Sequence, residues 1–235
     1  APFLYQESYG SAQIRGNADL QNGYNYNIDL RYELFEKNGD MLSITAYYKH
    51  LKAPIERVQT LSGGSAVHSF RNADNGMATG VEIEFRKEIV KDLRFGVNGS
   101  YMYTNVKLPE GGAYTNSQRA LQGASPYLAN ADLTYSPAFS NDRQLSVALL
   151  YNLQGPRIHS VGISGLGDIK QQPVHTLNFT GSYRFNRRFA VKLQVNDLLN
   201  QDILFKQEVP TTGDKVEVER FRKGTGFEVG FSYDL

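Results

Sequence analysis

The stretch YNYNIDLRYELF at residues 24–35 alternates apolar and polar side chains from Tyr24 to Leu34. Tyr26, Ile28, Leu30, Tyr32 and Leu34 stand against Asn25, Asn27, Asp29, Arg31 and Glu33. A period of two is the period of a β-strand, so the segment is predicted as a strand with one apolar and one polar face. The alternation leaves open which face meets water, because a sandwich strand would read the same way.

The pattern recurs along the chain. Leu42, Ile44, Ala46 and Tyr48 form one apolar set, followed by Val81, Ile83 and Phe85 against Glu82, Glu84 and Arg86. Further sets run from Leu93, Tyr127, Leu145, Leu177, Phe189 and Phe227. About nine strands of roughly 9–12 residues result, longer than the ~5–6 common in globular sheets. Their connections alternate in length: 36–40, 88–92, 136–142 and 186–188 are short, whereas 55–77, 105–125, 153–173 and 199–224 are long. In a meander, alternate connections lie at opposite ends of the sheet, so one end carries tight turns and the other long loops. Outer-membrane barrels keep that asymmetry and use tilted strands of ~9–11 residues.

The expected fold is therefore all-β, an antiparallel up-and-down transmembrane β-barrel segment in the bacterial outer membrane. On this reading the apolar face meets lipid. The polar face, with Asp29, Arg31, Glu33, Glu82, Glu84, Arg94, Asp132, Arg184 and Lys192, faces a wet or plugged lumen. Tyr at the ends of the apolar sets fits interfacial girdles. An odd strand count leaves two open edges in lipid, which is not viable. Residues 1–235 are thus expected to be the C-terminal portion of a larger barrel. The opening APFLYQESYG has neither a charged nor an apolar leader region, so a signal peptide is expected to have been removed, or to belong to a longer chain.

Composition narrows the function classes. Lys plus Arg total 25 and Asp plus Glu 24, so no basic excess marks a nucleic-acid binder. Cysteine is absent, which removes disulfides, zinc ribbons and thiol nucleophiles. The mean hydropathy of −0.44 excludes a helical membrane protein, but a barrel with polar inward residues keeps such a value.

Several stretches resemble TonB-dependent receptors of the Bacteroidetes type. IRGNADLQNGYNYNIDLRYEL, after the opening APF, is similar to the family's entry into a barrel strand. SFRNADNGMATGVEIEFRK resembles its Asn-rich loop and following strand, and RALQGASPYLANADLTYS its LQGQSPY segment. VNDLLNQDILF and GFEVGFSYDL resemble the segment before the last loop and the terminal strand. Ala18, Ala124 and Leu235 depart from the usual Pro, Gln and Phe. The resemblance implies an N-terminal plug inside a barrel of about 22 strands, with plug and coupling segment outside this chain. The implied partners are the plug, the remaining strands, the TonB complex through the plug, and the lipid and lipopolysaccharide of the membrane. The implied function is uptake of a scarce nutrient such as a siderophore or haem. A porin or adhesin barrel and a soluble β-barrel or sandwich binding protein are the alternatives.

No catalytic or metal site and no cofactor is expected. GxSxG and HExxH are absent, and His50, His68, His159 and His175 lack metal spacing. The Gly-rich runs at 61–65 and 162–168 precede no helix, so phosphate binding is not expected. Ligand contacts are expected on the long loops, with Arg71, Arg119, Arg157 and His159 as candidates.

Overall fold

The computed structural model describes residues 6–9, 12–62, 65–110, 114–137, 139 and 142–233. The resemblance segment APF, part of the 136–142 turn and the terminal Leu235 lie outside these residues. Nine strands form one meander: β1 (Tyr24–Phe35), β2 (Met41–Lys52), β3 (Asn75–Val90), β4 (Leu93–Lys107), β5 (Tyr127–Tyr135), β6 (Gln144–Gln154), β7 (Val174–Arg184), β8 (Phe189–Asn196) and β9 (Gly226–Tyr233). Each pairs antiparallel with the next, from β1 to β9. The strands follow the alternation closely, and β3 and β4 reach beyond it to 16 and 15 residues because their upper ends continue past the apolar sets.

The apolar face is bare. Ile28 and Leu30 are 73% and 76% exposed, and Tyr101, Phe227, Val229 and Phe231 stand out alongside them. In water such a face would have to fold inward; lipid is the solvent that leaves it exposed at no cost. The polar face carries a ladder at mid-height. Asn130 Nδ2 donates to Asn98 Oδ1 (2.7 Å) and Asn152 Nδ2 donates to Asn130 Oδ1 (2.5 Å), joining β4, β5 and β6. Gly80 lies under the Tyr47 ring, its register partner on β2; a Cβ there would sit 2.6 Å from the phenol oxygen and 2.4 Å from the Tyr101 carbonyl.

The tight turns are built from local chemistry. Gly39 takes φ +87° and donates to the Glu36 carbonyl, a backbone state that glycine adopts without a Cβ penalty. Asp40 braces this turn to the neighbouring one by accepting from the Glu88 amide (2.9 Å). That amide holds the Asp40 carboxyl below its usual range, with Asn38 and Lys87 adding to the effect. In the 185–188 turn, Asn186 Oδ1 accepts from the amides of both Arg188 and Phe189.

Two of the long connections, 55–77 and 199–224, correct the expectation of loops, because most of their length is β-structure; 153–173 carries two short strands, and 105–125 adds only Gln118–Arg119. Strands Gln6–Tyr9, Ala12–Arg15, Ser65–Asn72 and Ile55–Ser62 form one four-stranded sheet. Arg157–Ser160, Ile169–Gln171, Ile203–Val209 and Asp214–Phe221 form another. Val58, Ala73, Val106 and Leu108 pack together there, with Tyr114 and Leu121 against them, and Val106 and Leu108 are fully buried. The buried core of the described chain thus sits at the loop end, over the upper end of the polar face, where Leu51, Ala78 and Thr104 are also covered.

Candidate functional site

Two hairpin sheets meet above the barrel strands through polar side chains. Glu56 Oε2 lies 3.0 Å from Arg119 Nη2, with side chains 7% and 3% exposed. Arg119 Nη1 donates to the Ala120 carbonyl, and Nε has no hydrogen-bond partner among the described residues. Burial raises the Glu56 carboxyl above its usual range, while the Arg119 charge and the Gln122 amide pull it back down. A buried pair of this kind contributes through geometry more than net energy, because desolvation offsets much of the attraction.

Around the pair, Gln59 Nε2 donates to Ser160 Oγ (2.6 Å) and lies 3.3 Å from His68 Nε2. Gln122 Nε2 donates to the His159 carbonyl (2.6 Å). The His159 ring stacks edge-on against Phe205, centroids 4.7 Å apart. Burial, then the Arg57 and His159 charges, push the His68 imidazole down to about 4; His159 is lowered chiefly by burial. Both rings are therefore neutral at pH 7. These contacts tie the 55–72 hairpin, the 118–122 segment and the 157–160 strand into one unit.

The candidate ligand residues divide. Arg119 and Arg157 line one groove of about 470 Å³ with Tyr101, Tyr103, Asp168 and Lys170. Arg157 Nε donates to Gln171 Oε1 (2.7 Å), and Asp168 Oδ1 accepts from the Gly162 amide. Arg71 lines a separate cavity of about 620 Å³ with Asn17, Gln21, Asn72, Asp74 and Tyr114. His159 lines neither. Arg119 is buried, because Glu56 and the Ala120 carbonyl hold its guanidinium inside the hairpin core. Glu56, Gln59 and Gln122 were not among the candidates. The spacing of Glu56 and Val58 on one strand face was their available signal, since a carboxylate beside a buried valine needs a partner.

Among the polar-face residues, Arg31 pairs with Glu33 (2.6 Å) and Arg86 with Glu84 (2.5 Å), both along a strand instead of across neighbours. Arg31 Nε also donates to Ser43 Oγ across to β2 (3.2 Å). Glu82 stands in register with Thr45 and Ser100. Arg94 Nη2 would lie 3.7 Å from a Cβ on Gly39, near the first turn. Asp132 sits over Gly96, Arg184 is opposite Gln144 and Ala190, and Lys192 is opposite Ser182 and Gly230. All lie on the face opposite Ile28, Ile83 and Phe95.

A family model described as the outer membrane protein beta-barrel family matches residues 1–233. The chain belongs to the outer membrane protein β-barrel family. Its location is accordingly the bacterial outer membrane. The fold is shared with a variant of the ferric enterobactin receptor PfeA from Pseudomonas aeruginosa: TM-score 0.65, 17% identity, 94% of this chain and 32% of that one. The ferric yersiniabactin uptake receptor FyuA from Yersinia pestis aligns with TM-score 0.62 at 18% identity, over 91% of this chain and 30% of its own. The copper transporter OprC aligns with TM-score 0.64 at 14% identity, over 92% and 32%. The chain spans about a third of the length of these proteins. No curated protein matches the sequence.

Proposed function

We propose that this chain is the C-terminal portion of a TonB-dependent receptor barrel that takes up a scarce nutrient, a siderophore, haem or a similar ligand. The observation that carries the reading is the nine-strand meander with one bare apolar face, one polar face of mixed charge, and hairpin sheets at a single end. A barrel that only filtered solutes would not need loops fastened by a buried ion pair; loops that hold a ligand gain from such preorganisation. The exposed edges β1 and β9 meet the remaining strands, since neither edge can stay unpaired in lipid. The polar face looks onto an N-terminal plug, which couples to TonB. Arg71 and Arg157 present cations to an anionic ligand, and Arg119 holds the hairpins behind them.

The chain acts as scaffold and gate and performs no chemistry of its own. The test is deletion of the full gene followed by growth and uptake on defined iron and cofactor sources. Loss of uptake of one source, restored by the intact gene but not by one with Arg71→Ala and Arg157→Ala, is the expected result. Unchanged uptake of every source would overturn the transport reading in favour of a porin or adhesin.

A further inference from the structure

The polar face of the sheet is not uniform in charge from one side to the other. On β1 to β3, Arg31 is held by Glu33 and Arg86 by Glu84. Lys49, on the same face, sits over the Tyr47 ring. Asp29 and Glu82 are in no ion pair among the described residues. On β6 to β9 the described residues of this face carry Arg184, Lys192 and one acid, Glu228. The other positions there are uncharged, from Gln154 and Asn152 near the hairpins down to the serines near the turns.

The two cations stand over a hollow. Ser182 is in register with Lys192, and Arg184 with Ala190. Arg184 and Lys192 are therefore diagonal neighbours on adjacent strands, with backbones roughly 7–8 Å apart. Ser146, Ser182, Ala190, Gly230 and Ser232 surround them, and these short side chains leave a recess of about 680 Å³. It lies at the turn end of the polar face and reaches Ser136 and Pro137. Both cations are exposed. Among the described residues neither forms an ion pair, and Glu228, diagonal to Lys192, does not reach it. Like charges held side by side repel, and an anion lying between them relieves the repulsion. A concave wall of one sign also concentrates ions of the other.

We propose that this recess is an exit subsite for an anionic ligand. Its carboxylate or phosphate groups pass down the uncharged β6–β9 wall and are met by Arg184 and Lys192 before release to the periplasm. The guanidinium takes two oxygens side by side, the ammonium takes a third, and serine hydroxyls donate to those that remain. Asp29 and Glu82 repel the same ligand from the β1–β3 wall, so the charge of the sheet selects the side of the lumen on which it travels. The subsite rests on the uptake reading above and adds to it where the ligand leaves.

The test uses the full-length protein in isolated outer membranes, cleared of any cysteine elsewhere; residues 1–235 contain none. Ser182→Cys and Ser232→Cys each place a thiol in the recess, and Ser100→Cys places one beside Glu82, its register partner. Each thiol is reacted with sulfonatoethyl and with trimethylammonioethyl methanethiosulfonate, and the rates are divided by those of free mercaptoethanol. In the recess the anionic reagent should be favoured at least about tenfold, and at Ser100→Cys it should not be favoured. Arg184→Gln with Lys192→Gln should abolish the preference, whereas Arg184→Lys with Lys192→Arg should keep it. Inorganic pyrophosphate should slow the anionic reagent only where the cations remain. Thiols silent to both reagents would mean that protein fills the recess. Equal rates, a preference that survives loss of both cations, or no protection by pyrophosphate would mean that no anion subsite exists. Each of these overturns the proposal. The labelling needs no uptake source, so unchanged uptake in the gene deletion removes the transport reading while the thiols still report on the wall.

Discussion

Placing an arginine at Val97 and at Asn98 in turn separates the two faces of the sheet by one residue. On the apolar face, Tyr127 stands opposite Tyr101 at one end and Tyr135 opposite Leu93 at the other, with Ala131 and Val97 facing each other halfway. The eight steps from residue 127 to residue 135 span ~26 Å along the strand at ~3.3 Å per residue. With a barrel tilt near ~40°, that is ~20 Å along the membrane normal, within an apolar band of ~25 Å. Val97 is thus ~10 Å from either aromatic row, too deep for a guanidinium to reach water easily.

Val97→Arg should cost ~2–4 kcal/mol. Asn98→Arg loses the hydrogen bond from Asn130, worth ~0.5–1.5 kcal/mol. It also brings a cation beside Glu84, its register partner, which offsets part of that loss. The assay is equilibrium urea unfolding of the protein in phospholipid vesicles, followed by circular dichroism and by heat-modifiable gel mobility. Equal losses at the two positions, or the larger loss at Asn98, would mean that the sheet has been read inside out.

Three further outcomes follow from the site and the sheet. Glu56→Ala strands the buried Arg119 charge and should loosen the hairpin sheets by ~3–5 kcal/mol; Glu56→Leu with Arg119→Met should recover most of it, as read by limited proteolysis of the 55–72 hairpin, and no recovery would rule out the ion pair as the cause. Asn130→Ala removes both rungs of the amide ladder and should cost ~1–2 kcal/mol of barrel stability, a loss that Asn130→Ala in an Asn98→Ala, Asn152→Ala background should not repeat. His68 has its folded pKa lowered from 6.5 to about 4, so the unfolded hairpin takes up the proton first as pH falls. Its contribution to stability is then whole above pH 6.5 and is lost on the way down to about 4. The protection factors of the Ser65–Asn72 amides, taken relative to the intrinsic exchange rate at each pH, should fall over that window in the wild type and much less in His68→Gln; identical profiles would refute the assignment.

The sequence alone determined the nine membrane-facing strands, their faces and which end bears the long connections. Period two is a local signal, and the bilayer forces it to be clean: every outward position of β1 from Tyr26 to Leu34 is apolar because a charge there has no water to reach. The tight turns were legible for the same local reason. The long connections were not, because the hairpins lie outside the bilayer and their buried faces mix residue types. On Ile55–Ser62 the covered face pairs Glu56 with Val58, which breaks the apolar alternation and reads as loop. A stronger signal was present in the last connection, where ILFKQEV and DKVEVERF flank Pro-Thr-Thr-Gly at 210–213.

Tertiary structure alone decided what those connections do. Glu56 and Arg119 stand far apart in the chain, as do Gln59 and Ser160, and nothing in either neighbourhood predicts the pairing. It exists because the hairpins fold over the upper end of the polar face and exclude water there, so that each buried polar group must find its partner in another segment. The bilayer wrote its constraint into each strand separately, whereas the site arises from segments meeting in space.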